Sequence, residues 1–480
     1  MISGIWRKYN SITVQAKSAL WSIICSILQK GISFVTLPIF VHIMSADQLG
    51  TYTLYLSWFQ TLSIVTSLYL YYGVLTNAMN KYEDDRDRYI SSMQGLTITI
   101  TLGFFLVFLA TQDLWADLLQ LPVTLIYLMF AEMLLAPALN FWTGRQRFEY
   151  RYKILVCITL LRCLLNPILG IVMVSGSESK TIARILSVII VEIIFSGSLM
   201  LIQFVKGKCF IDLKYWKFAL LLAIPLLPHY LAGMILNKGD QIMIGRMVGK
   251  AEVAYYGSAY SVGMCVQIFT TALTNAFTPW VYQKIKQKNY DGIAQKIDFI
   301  NILVALIAVC LMLCSPEMMM IFGTSEYASA AYVIPPVAAS VFFIYLYNVL
   351  SIPQFYFEKT KFLMISSILA ALVNLGLNYV FIKLFGYIAA GYTTLICYIL
   401  YSIGHYIVSK IVLKNNLPGV TMFNYKPILF LSVIVVICGV CCNFLFDFLI
   451  LRFGILLAIC IVGIVYRKQI FAMIMDIKGK

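Results

Sequence analysis

Fourteen apolar stretches, each long enough to cross a bilayer, recur along 480 residues, and the Lys and Arg residues between them gather on alternate loops. A bilayer's hydrocarbon core is about 30 Å thick and takes a helix of roughly 20 apolar residues, so such a pattern leaves few folds open. The stretches fall at about 17–43, 50–75, 90–111, 121–141, 153–174, 182–205, 218–237, 254–276, 297–315, 333–357, 362–382, 387–413, 427–446 and 448–466. They are continuous rather than ten-residue alternating segments, which predicts helices and excludes a β-barrel. With 61% hydrophobic and 12% charged residues and a mean hydropathy of +0.87, the chain cannot cover a water-facing surface. The expected class is an all-α integral membrane protein with 14 transmembrane helices.

Charge then gives an orientation. Of 36 basic residues, 27 lie on one set of loops, from Arg7 and Lys8 through Arg145, Arg147, Arg151 and Lys284 to Lys478 and Lys480. Seven lie on the other set, Lys180, Arg184, Lys238, Arg246, Lys250, Lys383 and Arg452, and Lys30 and Arg162 fall inside helices. The positive-inside rule places both termini in the cytoplasm. The net charge of +15 therefore reflects topology and contact with anionic lipid headgroups, and nucleic acid is not an expected partner. The first apolar run follows a polar leader and is too long for a signal peptide, so it is expected to stay as the first helix.

The sequence argues against several chemistries. The 12 cysteines sit almost wholly inside predicted helices, which reads as buried apolar thiols, and the three histidines, His42, His229 and His405, are too far apart in sequence to form a His-rich metal cluster. Gly245 to Lys250 has the wrong glycine spacing for a phosphate-binding loop and follows no strand. The loops are short, no soluble domain interrupts them, and the protein is expected not to be an enzyme and to need no cofactor. Function must then lie in the bundle.

A short repeat organises that bundle. Gln48-Leu49-Gly50-Thr51-Tyr52 opens the second helix, and Glu252-Val253-Ala254-Tyr255-Tyr256 opens the eighth. Six helices per copy is even, so the copies enter the membrane in the same direction, the parallel kind of transporter repeat. The expected organisation is a six-helix lobe over 1–205, a second over 206–415, and an appended hairpin with its tail over 416–480.

Charged residues inside the membrane carry the functional reading. Lys30, Glu132, Arg162 and Glu192 fall near the middle of helices one, four, five and six. A charge at a helix centre costs about 2.5 to 3.5 kcal/mol on insertion scales, so each should face the bundle interior. Two readings stay open: ion pairs that assemble the first lobe, or a cationic cavity in which Lys30 and Arg162 hold an anionic headgroup and the acids balance them. The second predicts that Lys30→Gln and Arg162→Gln abolish transport without loss of folded protein. In the second half, His229 follows Pro225 and Pro228, which free backbone carbonyls and make helix seven a candidate gate. His229 and His405 are candidates for coupling, or polar groups satisfied within the bundle. Tyr52, Tyr55, Tyr69, Tyr71 and Tyr72 read mainly as interface anchors, and Glu83 to Arg88 as a solvated loop.

The run Ile224 to Ser261, IPLLPHYLAGMILNKGDQIMIGRMVGKAEVAYYGSAYS, resembles the signature of Wzx-type polysaccharide flippases in the multidrug/oligosaccharidyl-lipid/polysaccharide exporter superfamily. Thr36 to Tyr52, Gly144 to Lys153 and Ile321 to Pro335 resemble further segments of that family, so the likeness runs along the chain. It implies two six-helix lobes in a V, as in multidrug and toxin extruders. It also implies translocation of undecaprenyl-diphosphate-linked oligosaccharide across a bacterial cytoplasmic membrane, for O-antigen, capsule or exopolysaccharide assembly. The implied partners are that lipid, membrane lipid, and a polysaccharide polymerase and chain-length regulator. Basic cavity residues of such proteins handle diphosphate and glycan, which agrees with Lys30 and Arg162; Asp240 and Arg246 fall in the motif after helix seven. The rivals are a multidrug or metabolite cation antiporter, a lipid II flippase and a non-transporting scaffold.

Overall fold

The computed structural model describes residues 13–359, 361–465 and 467; Arg7, Lys8, Lys468, Lys478 and Lys480 of the charge count, and both chain ends, lie outside them. The described residues are helical, with no strand among them. The chain divides into two units, Met1–Met234 and Ile235–Lys480. This division lies inside a single helix, not at 205, and it keeps 416–480 with the second unit.

Unit 1 runs through α1 (Val14–Ile43), α2 (Ala46–Ser67), α3 (Val74–Lys81), α4 (Arg86–Ala110), α5 (Gln112–Leu119), α6 (Val123–Phe148) and α7 (Tyr152–Ser175). It continues with α8 (Lys180–Glu192), a π-helical turn (Ile193–Gly197) and α9 (Ser198–Gly207), and ends within α10 (Leu213–Met247). Unit 2 holds α11 (Lys250–Gly263), α12 (Val266–Lys286), α13 (Ile293–Leu313), α14 (Ser315–Phe322), a 3₁₀ segment (Ser325–Val333) and α15 (Ile334–Tyr356). It closes with α16 (Lys361–Phe385), α17 (Ala389–Asn416), α18 (Tyr425–Cys441) and α19 (Leu449–Val465).

Eleven of the described helices are long and apolar enough to cross a membrane. The other three expected spans differ for physical reasons. The stretch at 50–75 is α2, a turn and α3, and α2 carries Thr51, Ser57, Thr66 and Ser67, buried hydroxyl residues that lower its hydropathy. The stretch at 254–276 breaks between α11 and α12, and 448–466 is the 17-residue α19. Helix seven, expected to end at 237, runs on to Met247, because Asp240 and Gln241 are buried by the protein and need no aqueous loop.

Local chemistry sets the turns. Ser45 caps α2 by accepting from the Gln48 N–H at 3.3 Å, and Gln48 Oε1 accepts from the Ser45 N–H at 3.0 Å, a reciprocal capping box. Lys180 Nζ donates to the Ile43 carbonyl at 2.6 Å and Thr181 to that of Gln48 at 3.0 Å, docking α8 on this turn. At one end of unit 1 the Glu83 to Arg88 loop is engaged rather than simply solvated. Asp87 pairs with Arg145, Arg88 with Asp212 at 3.3 Å, and Glu149 collects Arg145 at 2.8 Å and Arg151 at 3.0 Å. In unit 2, α15 is the centre, covered by α13, α17 and α18.

Arg452 joins α19 to this core. It is 2% exposed, grips both Glu317 oxygens at 2.7 and 2.8 Å, and donates to the Leu313 carbonyl at 2.7 Å. Helix α19 is otherwise apolar, so this fork fixes where it docks. The Arg452 hydrogen bonds hold the Glu317 carboxyl below the ordinary glutamate range. A lowered folded value gives stability that is present above the unfolded value, about 4.3, and is lost as pH falls through the folded one. Arg452→Leu is expected to remove about 1–3 kcal/mol of unit-2 stability at neutral pH and to flatten its acid dependence below about pH 4. Thermal unfolding of both proteins between pH 7 and pH 3 checks this; a parallel acid dependence would refute it.

Candidate functional site

Unit 1 encloses a cavity of about 260 Å³, lined by α2, α6, α7, α8 and α10. Water occupies about 30 Å³ in the liquid, so the space holds several waters or a polar group of comparable total volume. Its charge comes from Glu132 on α6, Arg162 on α7 and Glu192 at the end of α8. The π-helical turn follows Glu192 directly, and there Ser196 donates its hydroxyl to Glu192 Oε2. Such turns widen a helix by one residue and recur at functional sites. Arg162 pairs with Glu192 Oε1, while Tyr55 donates its hydroxyl to Glu132 Oε2 at 2.7 Å. Glu192 is 1% exposed and Glu132 4%, whereas the Arg162 side chain is 36% exposed. The carboxylates are thus wall and the Arg162 side chain is the partly open group. Arg162 Nε has no hydrogen-bond partner, leaving a donor on an already charged group.

Arg162 also borders a second cavity of about 170 Å³, whose lining includes Ser22, Ser26 and Gln29 of α1, Thr143 of α6 and Arg147 at the far end. Lys30 is not in the lining of either cavity. It is exposed on α1 and follows Ser26 by four residues, so it prolongs the Ser22–Ser26 row by one turn. The structure therefore brings Arg162, Glu192 and Glu132 together and leaves Lys30 apart. Arg184, counted among the loop bases, is buried in α8: it donates to Asn166 Oδ1 at 3.0 Å and lies over the Phe40 and Tyr52 rings at 4.4 and 5.1 Å. Tyr55 and Tyr52 serve these charges and are not interface anchors.

Unit 2 buries one carboxylate in a neutral shell. Asp240 on α10 is 2% exposed and accepts from Tyr256 at 2.5 Å, Asn378 Nδ2 at 2.6 Å and Thr394 at 2.6 Å. Asn378 Nδ2 also donates to Asn374 Oδ1 at 3.1 Å, and Thr393 donates to Asn378 Oδ1. The Ile224 to Ser261 run is thus a helical hairpin clasped across its turn by Tyr256 on Asp240. Every group on this carboxylate donates an N–H or O–H to it, and among the described residues no group of three or more His, Cys, Asp or Glu could hold a metal ion. His405 is 1% exposed, both ring nitrogens lack hydrogen-bond partners, and the ring packs on Tyr347 and Tyr401 with centroids 5.5 and 4.6 Å away. His229 lies on α10 beside Tyr230, with ring centroids 5.8 Å apart. Helix α10 continues through Pro225 and Pro228, and Arg246 is exposed in its last turn.

The family described as polysaccharide biosynthesis protein matches residues 15–285, more than half of the chain. The chain belongs to that family. A second family, MatE, matches residues 225–380. No curated protein matches. Among solved structures the chain is similar to "Lipid II flippase MurJ, inward closed conformation", with TM-score 0.71 and 16% identity, covering 94% of this chain and all of that one. It is also similar to an inward-facing multidrug resistance MATE family transporter of the MOP superfamily, with TM-score 0.62 and 14% identity over 81% of this chain and 96% of that one. A MOP superfamily transporter from Pyrococcus furiosus follows at TM-score 0.53 and 16% identity, over 83% and 96%. At these identities the likeness is one of fold: the family member is a multi-pass helical membrane protein with the architecture shared by MurJ and MATE transporters, as expected for a superfamily of flippases and exporters.

Asn374, Asn378 and Thr394 escape the sequence reading, although two Asn four residues apart in an apolar helix are a signal, since polar side chains in such helices bond across them. Tyr55 and Arg184 leave no comparable mark.

Proposed function

We propose that the protein flips a polyprenyl-diphosphate-linked oligosaccharide, with bacterial cell-surface polysaccharide as the destination and both chain ends in the cytoplasm. The observation that carries this is Arg162, whose partly exposed side chain lines a polar cavity, in a chain of the polysaccharide biosynthesis family. Moving a diphosphate and sugars through about 30 Å of hydrocarbon would strip water from every polar group, and a hydrophilic path removes that barrier. The polyprenyl tail stays in lipid, and six helices on each side of alternating access, with the last two as an appendage, carry the head across. The drive is an ion gradient, the membrane potential or removal of product. Asp240, in its neutral shell, is the position we assign to a coupling ion. A cation antiporter would want unpaired acids in its cavity; here Glu192 is paired with Arg162 and Glu132 is bonded by Tyr55.

Proteoliposomes carrying a fluorescent polyprenyl-diphosphate oligosaccharide test the proposal through access of an impermeant reagent. The expected result is that protein increases the flipped fraction severalfold over empty vesicles. No increase under any imposed proton or sodium gradient or potential would sink it.

A further inference from the structure

A helix should run through residues 68–73 and does not. Helix α2 ends at Ser67, and Leu68 and Tyr69 both take left-handed backbone, with φ of +48° and +51°. Neither is glycine, so each costs about 1–2 kcal/mol that its surroundings must offset. Ser67 Oγ accepts from the Tyr69 N–H at 3.3 Å, and the Tyr72 N–H donates to the Tyr69 carbonyl at 3.0 Å. What the break achieves is a gathering of rings. The Tyr69 centroid lies 5.2 Å from Tyr71, 5.3 Å from Tyr72 and 5.0 Å from Tyr230, and Tyr72 stands edge-on to Tyr230 at 5.9 Å. Gly73 makes the room, since a Cβ there would lie 2.6 Å from the Tyr230 hydroxyl oxygen.

An interface anchor turns its ring to the headgroups. Tyr69 and Tyr71 instead line the cavity that holds Arg162 and Glu132. Ser63, one turn before Ser67, lines it too, and its buried hydroxyl has no hydrogen-bond partner. A buried orphan hydroxyl calls for a ligand or water. A pyranose ring fits this combination: its C–H face is apolar and suits the electron-rich face of an aromatic ring, while its rim of hydroxyls needs hydrogen-bond partners. A diphosphate alone would have no use for the two tyrosine rings that line the cavity.

We propose that Tyr69 and Tyr71, backed by Tyr72 and Tyr230, form a sugar-stacking subsite of unit 1. A pyranose lies on the rings and meets Ser63 and Asn140, with the diphosphate toward Arg162. This rests on the reading of the cavity as a headgroup site. The strained turn is maintained because a continuous helix would carry Tyr69 and Tyr71 on different faces.

The test compares binding of two probes to detergent-purified full-length protein: polyprenyl diphosphate, and the same lipid bearing one hexose. Wild type is expected to favour the hexose-bearing lipid by about tenfold, equal to about 1.4 kcal/mol. Tyr69→Ala and Tyr230→Ala should bring that ratio to about one, while Tyr69→Phe, which keeps the ring, should preserve it. A ratio cannot fall through partial unfolding alone, since both lipids share the loss. A wild-type ratio of one, or a ratio that survives both Ala variants, overturns the subsite and leaves the headgroup reading standing. Displacement of either lipid by tetraphenylphosphonium from wild type but not from Tyr69→Ala would make the cluster a cation box and overturn it as well. Binding of neither lipid would remove the headgroup reading, and the subsite with it.

Discussion

Arg162→Gln is expected to cost unit 1 about 3–5 kcal/mol and to abolish transport, whereas Arg162→Gln combined with Glu192→Gln should restore the fold and not the transport. Removing the guanidinium alone strands the Glu192 carboxylate, 1% exposed, with only the Ser196 hydroxyl on it. A buried charge without its partner is the costly state; removing both charges leaves two amides of similar shape that can bond each other. The pairing changes what is expected of Arg162→Gln, since it removes half of an ion pair, while for the exposed Lys30 the expected result of Lys30→Gln remains folded protein. The single and double variants separate two roles for one residue. Thermal unfolding reads the structural role, and flipping of the labelled polyprenyl-diphosphate oligosaccharide reads the cavity role. Transport recovered in the double variant would mean that Arg162 only assembles the lobe, and the cationic-cavity reading would fall.

The distribution of legible and illegible features follows from the range of the interactions involved. Spans announce themselves locally, because about 20 apolar residues in a row report their own solvent. The charged residues inside them are legible for the same reason, and Glu132, Arg162 and Glu192 do meet at one cavity. Their pairing is not, since it depends on the register of α7 against α8, which no local pattern encodes. Helix seven reads as ending at Asn237 because Lys238, Gly239, Asp240 and Gln241 resemble a loop. Its continuation depends on Asn378 and Thr394, which are 138 and 154 residues away from Asp240. Arg184 passes for a loop base since Lys180 and Glu178 stand close by in sequence; only Asn166 on the neighbouring helix makes it a buried group. The break after Ser67 carries no Gly or Pro at its left-handed positions, so the usual punctuation is missing and the apolar run appears to continue. Legibility fails where long-range packing overrides a local preference, and those are the places where the cavity, the tyrosine cluster and the Asp240 shell lie.

Asp240→Leu is expected to destabilise unit 2 by about 3–5 kcal/mol, while Asp240→Asn should cost about 1 kcal/mol and still stop ion-driven transport. Leucine leaves the Tyr256 hydroxyl, the Thr394 hydroxyl and one Asn378 N–H without an acceptor in a region closed to water. Asparagine keeps the shape and one oxygen. With the new amide oxygen in the Oδ1 position the Asn378 N–H keeps its acceptor, and the Tyr256 and Thr394 hydroxyls rotate to accept from the new N–H groups in the Oδ2 position. The Asn variant therefore isolates the charge from the hydrogen-bonded frame. A carboxylate held only by neutral donors has unspent affinity for a cation. Thermal unfolding of both variants and flipping under imposed proton and sodium gradients give the answer. If Asp240→Asn transports at the wild-type rate under every gradient, the carboxylate is a structural clasp between α10 and α11, and the coupling ion binds elsewhere. If it loses transport while its unfolding temperature stays within a few degrees of wild type, the charge itself is what the ion gradient acts upon.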